Sequence, residues 1–128
     1  MHHLGFFRDL PHGSPDEVAL ASVIGQLDER IAQNVAAFLR RGTVVTPTLG
    51  TRCYDVLSDG HEDIGPLEIL SDGVWTWPSD TAYFVEKYRV LVPSDFIQHA
   101  ERCGWVPPQL VDVMKLKTLL WNHKPNTE

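Results

Sequence analysis

Leu67-Glu68-Ile69-Leu70-Ser71-Asp72-Gly73-Val74-Trp75-Thr76-Trp77-Pro78-Ser79-Asp80 is the stretch on which the fold turns. Leu67 to Leu70 and Val74 to Trp77 are two short apolar runs. The Asp72-Gly73 pair between them is a strong hairpin signal, because a two-residue turn needs residues that tolerate positive φ. Trp75 and Trp77 are two apart on the second strand, so both point to one side of the sheet, and Val74 and Thr76 point to the other. Pro78 ends the strand. Ser79 and Asp80 follow as caps for a helix carrying Phe84, Val85 and Tyr88.

Upstream of this hairpin, Thr43-Val44-Val45-Thr46 and Arg52 to Leu57 are rich in β-branched and alternating residues and read as two more strands. Pro47 and Gly50 lie between them, and Pro47 either places the first at an edge or ends it early. Ser58-Asp59-Gly60 is a turn. Before the strands, Ser14-Pro15-Asp16-Glu17 reads as a capped helix start, and Leu20, Val23, Ile24 and Leu27 repeat at helical spacing. A second helix carries Ile31, Val35, Phe38 and Leu39, and closes at Arg40-Arg41-Gly42 with cations in its last turn and glycine for a left-handed exit. Residues 1–13 read as an irregular arm anchored by Phe6, Phe7 and Leu10.

Downstream, Val90-Leu91-Val92 is extended and Pro93-Ser94-Asp95 opens a helix with Phe96, Ile97, Ala100 and Cys103 inward and Gly104 as its stop. Pro107-Pro108 starts a last helix to about Asn122. Its apolar residues cover more than one face, so it is either deeply packed or has a partner. Residues 123–128 read as a loose tail. Helices, then strands, then helices predict one α+β domain over 1–128: a small antiparallel sheet of about four strands flanked by N-terminal and C-terminal helices.

The chain has 128 residues, with 11 Lys and Arg against 17 Asp and Glu for a net charge of −6. That balance argues against gripping nucleic-acid backbones, which needs a basic surface. No apolar run reaches the ~20 residues of a membrane helix. The first residues lack the apolar centre and cleavage site of a signal peptide. A cytoplasmic protein with no nucleic-acid or membrane partner is expected. Cys53 and Cys103 belong to no Cys-x-x-Cys pair and read as reduced, small buried apolar residues. Neither a metal nor a cofactor is expected.

Three groups hold candidate chemistry. Asp59-Gly60-His61-Glu62-Asp63 is a solvated turn, an acidic patch for a basic partner, or a metal site, although the oxygen-ligand pattern of a calcium loop is absent. His99 and Cys103 share a helical face, with Asp95 one turn earlier. That stripe suggests either a small Cys/His enzyme or a buried thiol beside a surface histidine. Trp75 and Trp77 are core or a binding platform. There is no phosphate-binding glycine loop, nucleophile elbow or His-Glu-x-x-His motif. His2, His3 and His12 receive no role.

The segment from Ser71 to Tyr88, with its Asp-Gly turn, alternating tryptophans, Pro-x-Asp and Ala-Tyr-Phe-Val, continues into Val92-Pro93-Ser94-Asp95-Phe96. It resembles a pattern in small acidic bacterial proteins, some of which are similar to the immunity proteins of polymorphic toxin systems. Phe7, Leu10 and His12-Gly13-Ser14-Pro15 also look similar. Thr81 and Phe84 depart from the leucine and tyrosine of that pattern. The resemblance implies a shared fold more than a shared function. It also implies a non-enzymatic protein, monomeric or weakly dimeric, that occludes the active site of a basic nuclease-type or deaminase-type toxin. Asp55, Asp59, Glu62, Asp63, Trp75 and Trp77 are then the expected partner-binding residues, the tryptophans only if at least one is exposed. The alternative is a structural or regulatory interaction module using the apolar last helix.

Overall fold

In a computed structural model the described residues are 1–110. The elements run β1 (His2–His3), a 3₁₀ turn (Leu20–Ser22), α1 (Glu29–Arg40), β2 (Thr43–Tyr54), β3 (Asp63–Ser71), β4 (Trp75–Pro78), α2 (Thr81–Tyr88) and α3 (Ser94–Arg102). The expected last helix lies outside the described residues.

The four strands form one sheet in the order β1-β4-β3-β2. The α+β class and the strand count are as expected, but the sheet is mixed rather than purely antiparallel. His2–His3 pairs parallel to β4, so the start of the arm is an edge strand. The two strands expected on either side of Pro47 are one antiparallel partner of β3, interrupted by register shifts at Val44/Thr46, Pro47/Arg52 and Cys53/Tyr54. Of the two readings of Pro47, the edge strand is the one observed: β2 runs through it.

The Asp72-Gly73 hairpin is present, and its turn is held by a side chain. Asp72 Oδ1 accepts from Val74 N at 2.9 Å and Trp75 N at 2.8 Å. This feeds Trp75 and Trp77 into the core, where they are 7% and 1% exposed. Phe96 from α3 meets both rings edge-on, with centroids at 5.3 and 5.9 Å, and Phe38 from α1 packs on Trp77 and Phe96. Trp77 Nε1 donates to Leu39 O at 3.1 Å, so the indole's one polar atom is satisfied inside. Gly42 is needed here for space rather than for a left-handed exit. A Cβ on it would lie 2.5 Å from the Trp77 ring, and its φ is not positive.

The expected helix after Ser14 is not formed. Apart from the 3₁₀ turn, residues 15–27 are turns and irregular chain. Leu20, Val23 and Leu27 are buried as the periodicity implied, yet Ile24 is exposed. Non-local bonds displace the helix: Gly25 N donates to Tyr88 O, Leu27 N to Arg89 O, and Leu91 N to Val23 O. The Asp9 carboxylate takes the amides of Leu20 and Ala21. Gly25, at φ 73°, makes a continuous helix the poorer alternative.

Candidate functional site

The acidic turn joins β2 to β3, and Asp59, Glu62 and Asp63 are exposed on it. The loop is internally braced. Ser58 Oγ donates to Glu62 Oε2 at 2.6 Å, and Arg52 Nε lies 2.7 Å from Asp63 Oδ2. The Ser58 bond holds the Glu62 carboxyl below its ordinary value, and Arg52 does the same for Asp63. Tyr54, 47% exposed, is the register partner of Asp63 and adds an aromatic beside the charges. Most of β2 is exposed, and β3 is its only strand neighbour among the described residues.

Asp55 does not belong to that surface. It is fully buried and acts as a hub. Its Oδ2 accepts from Tyr83 Oη at 2.7 Å, Tyr88 Oη at 2.8 Å and Lys87 Nζ at 3.2 Å. Its Oδ1 accepts from Leu57 N at 3.0 Å. Burial pushes the carboxyl up, but the hydrogen bonds from Tyr83, Tyr88, Lys87 and Leu57 together outweigh it and hold the group ionised below its ordinary value. Tyr83 and Asp55 in turn keep Lys87 protonated. Asp55 therefore ties the end of β2 to α2. With both tryptophans buried, the condition for a tryptophan platform is not met. Of the six expected partner-binding residues, the structure leaves Asp59, Glu62 and Asp63 together at the surface.

The helical stripe of Asp95, His99 and Cys103 is arranged differently from the enzyme reading. His99 Nε2 lies 2.6 Å from Asp72 Oδ2, so the hairpin aspartate, not Asp95, orients the ring. Among the described residues Cys103 makes no side-chain bond to His99. His2, Trp75, Asp95, His99 and Arg102 line a shallow polar cleft of about 290 Å³. A second cleft of about 380 Å³, lined by Leu4, Phe7, Val18, Val23 and Ile97, is apolar and has Glu17 as its one titratable side chain.

A cluster missed in the sequence sits at the N-terminal end of α2. His12, Cys53 and Asp80 come from the N-terminal turn, the end of β2 and the cap position of α2. One donor atom from each lies within 4.8 Å of the others. Asp80 is 1% and Cys53 2% exposed. Asp80 occupies the expected cap position but makes no side-chain cap bond. His12 Nε2 is 2.9 Å from Asp80 Oδ2, yet neither that nitrogen nor either Asp80 oxygen has a hydrogen bond of acceptable direction. The two groups touch without a directed hydrogen bond. Burial, then the charge of Asp80, pushes the Cys53 thiol up to about 12, the opposite of what a nucleophilic cysteine needs. Cys53 is thus buried as expected, but in polar rather than apolar company. The three residues are far apart in sequence, so no spacing rule could have joined them. The only local signal was the tight His12-Gly13 turn.

No helix among the described residues is long and apolar enough to cross a membrane. No protein-family model matches the chain, and no curated protein or solved structure matches it significantly.

Proposed function

We propose that the protein is a non-enzymatic binding protein that captures a basic protein domain through the far end of its β2–β3 ribbon, and that this partner is a toxin whose active site it occludes. The carrying observation is the twelve-residue, mostly exposed edge strand that runs into a braced acidic turn. An edge strand offers unpaired backbone groups to a second chain, and side chains alternate along it to give selectivity. The turn supplies charge. A net charge of −6 and three carboxylates at the ribbon tip speed encounter with a basic partner by electrostatic steering. Tyr54 supplies the aromatic anchor that interfaces favour. Asp55, Trp75 and Trp77 act indirectly, by fixing the ribbon to the helices and the core.

The test is a tagged pull-down from the native organism with mass-spectrometric identification. It is repeated with Asp59→Lys, Glu62→Lys and Asp63→Asn combined, the last keeping the contact to Gly65 N. One stoichiometric basic partner is expected with the native sequence. The variant should bind it more slowly and with a weaker salt dependence. Equal capture by a variant with an unchanged circular dichroism spectrum removes the acidic turn from the mechanism. Absence of any stoichiometric partner removes the binding function.

A further inference from the structure

We infer that His12, Cys53 and Asp80 form a binding site for a borderline-soft divalent cation, zinc by its donor set. One imidazole nitrogen, one sulfur and one carboxylate oxygen converge within 4.8 Å from three separate segments. A tetrahedral zinc with bonds of about 2.0–2.3 Å sets such donors about 3.3–3.5 Å apart. The His12–Asp80 contact of 2.9 Å must open by a few tenths of an ångström, and the most distant donors must close by about one. His12 lies on a turn with its side chain 15% exposed, so it is the ligand able to adjust and also the side from which an ion arrives.

The independent observation is the set of orphaned polar atoms. Both Asp80 oxygens and His12 Nε2 are buried and without a hydrogen bond, and the neighbouring Thr81 Oγ1 is as well. Buried polar atoms are paired in nearly all native structures, and an unexplained group points to an absent ion or water. Asp80 is an N-cap residue whose carboxylate declines its helix amides and faces the cluster instead. A cation satisfies His12 Nε2 and one Asp80 oxygen at once. It also makes a ligand pair of a carboxylate and a thiol that already lie side by side. On binding, the thiol proton leaves to solvent and sulfur ligates as thiolate.

The local chain is built to hold His12 there. Leu10 N bonds to Phe7 O, Gly13 N to Leu10 O, and Ser14 N to Phe6 O. A Cβ at residue 13 would lie 1.8 Å from Phe7 O, so glycine alone fits beside the histidine. Thiolate with imidazole and one carboxylate favours zinc over magnesium or calcium, which take oxygen sets. Three protein ligands leave the fourth position to water or an external donor.

The experiment titrates the metal-free full chain with Co²⁺ and follows the near-ultraviolet thiolate-to-cobalt charge-transfer band, with Zn²⁺ as competitor. One Co²⁺ per chain, displaced by Zn²⁺, is expected. The band should disappear in Cys53→Ser and persist in Cys103→Ser and in the His2→Ala/His3→Ala double variant. His12→Ala should weaken binding at least by the roughly 10–100-fold that loss of an outer-shell partner costs. Circular dichroism checks that each variant is folded. Should Cys53→Ser fail to fold, the native chain still decides, because Zn²⁺ must raise its melting temperature and, at the same concentration, must raise that of His12→Ala less. Absence of a stoichiometric band, a band that survives Cys53→Ser, or a band lost in Cys103→Ser overturns the site.

Discussion

Replacing Asp55 by alanine tests the buried hub directly. The substitution strands two tyrosine hydroxyls, one ammonium and the Leu57 amide, all of which now bond to one carboxylate. Hydrogen bonds to a charged acceptor contribute about 1.5–3 kcal/mol each, but they are not additive. Lys87 is 47% exposed and recovers water, so its share is discounted. Breaking a buried, bonded charge pair costs about 3–5 kcal/mol, and we expect a loss in that range. For a domain of this length it lowers the melting temperature by about 12–20 °C. Because the folded carboxyl titrates below its ordinary value, its contribution is complete above the unfolded pKa of about 3.9 and is lost as pH falls below that. Urea unfolding at pH 7 and at decreasing pH is the assay. The native protein should lose stability below about pH 4, and Asp55→Ala should lack that component. A loss under about 1 kcal/mol with an unchanged m-value refutes the hub.

Trp77→Ala should cost about 3–5 kcal/mol, because it empties a buried site and removes the indole bond to Leu39 O; chemical denaturation measures it. Gly13→Ala should destabilise by more than the few tenths of a kcal/mol expected at an open turn, since its Cβ overlaps the Phe7 carbonyl; a melting temperature unchanged within 1–2 °C contradicts the close approach. Arg52→Ala, by contrast, should change stability by at most about 1 kcal/mol, because its partner Asp63 is as exposed as it is.

Elements set by local chemistry were legible in the sequence. The Asp72-Gly73 turn, the helix ending at Arg40 and the helix starting at Ser94 each carry their own punctuation. The failures share a cause. Residues 15–27 have helical periodicity and a capping box, but the amides of Gly25 and Leu27 and the carbonyl of Val23 bond to the chain at 88–91, sixty or more positions away. The periodicity reported the burial of Leu20, Val23 and Leu27 correctly, but not that of Ile24, and it reported secondary structure incorrectly. The parallel pairing of His2–His3 left no local mark either. The acidic residues were visible, but Asp55 and Asp59 look alike in a string, and only the arrival of Tyr83, Lys87 and Tyr88 separates a buried anchor from a surface charge. His12, Cys53 and Asp80 were each explained singly, as arm, core and cap, because convergence is a property of the tertiary fold.

The parallel edge strand also imposes an order on synthesis. His2 and His3 find their partners only at Trp75 and Thr76. At roughly 5–20 residues per second, the ribosome needs about 4–15 s to deliver that strand after the first residues emerge. Leu4, Phe7 and Leu10, all buried in the finished fold, stay uncovered for that interval. The β3–β4 hairpin is local and closes in microseconds once made. The arm is therefore sealed onto the sheet only after β4 has been made.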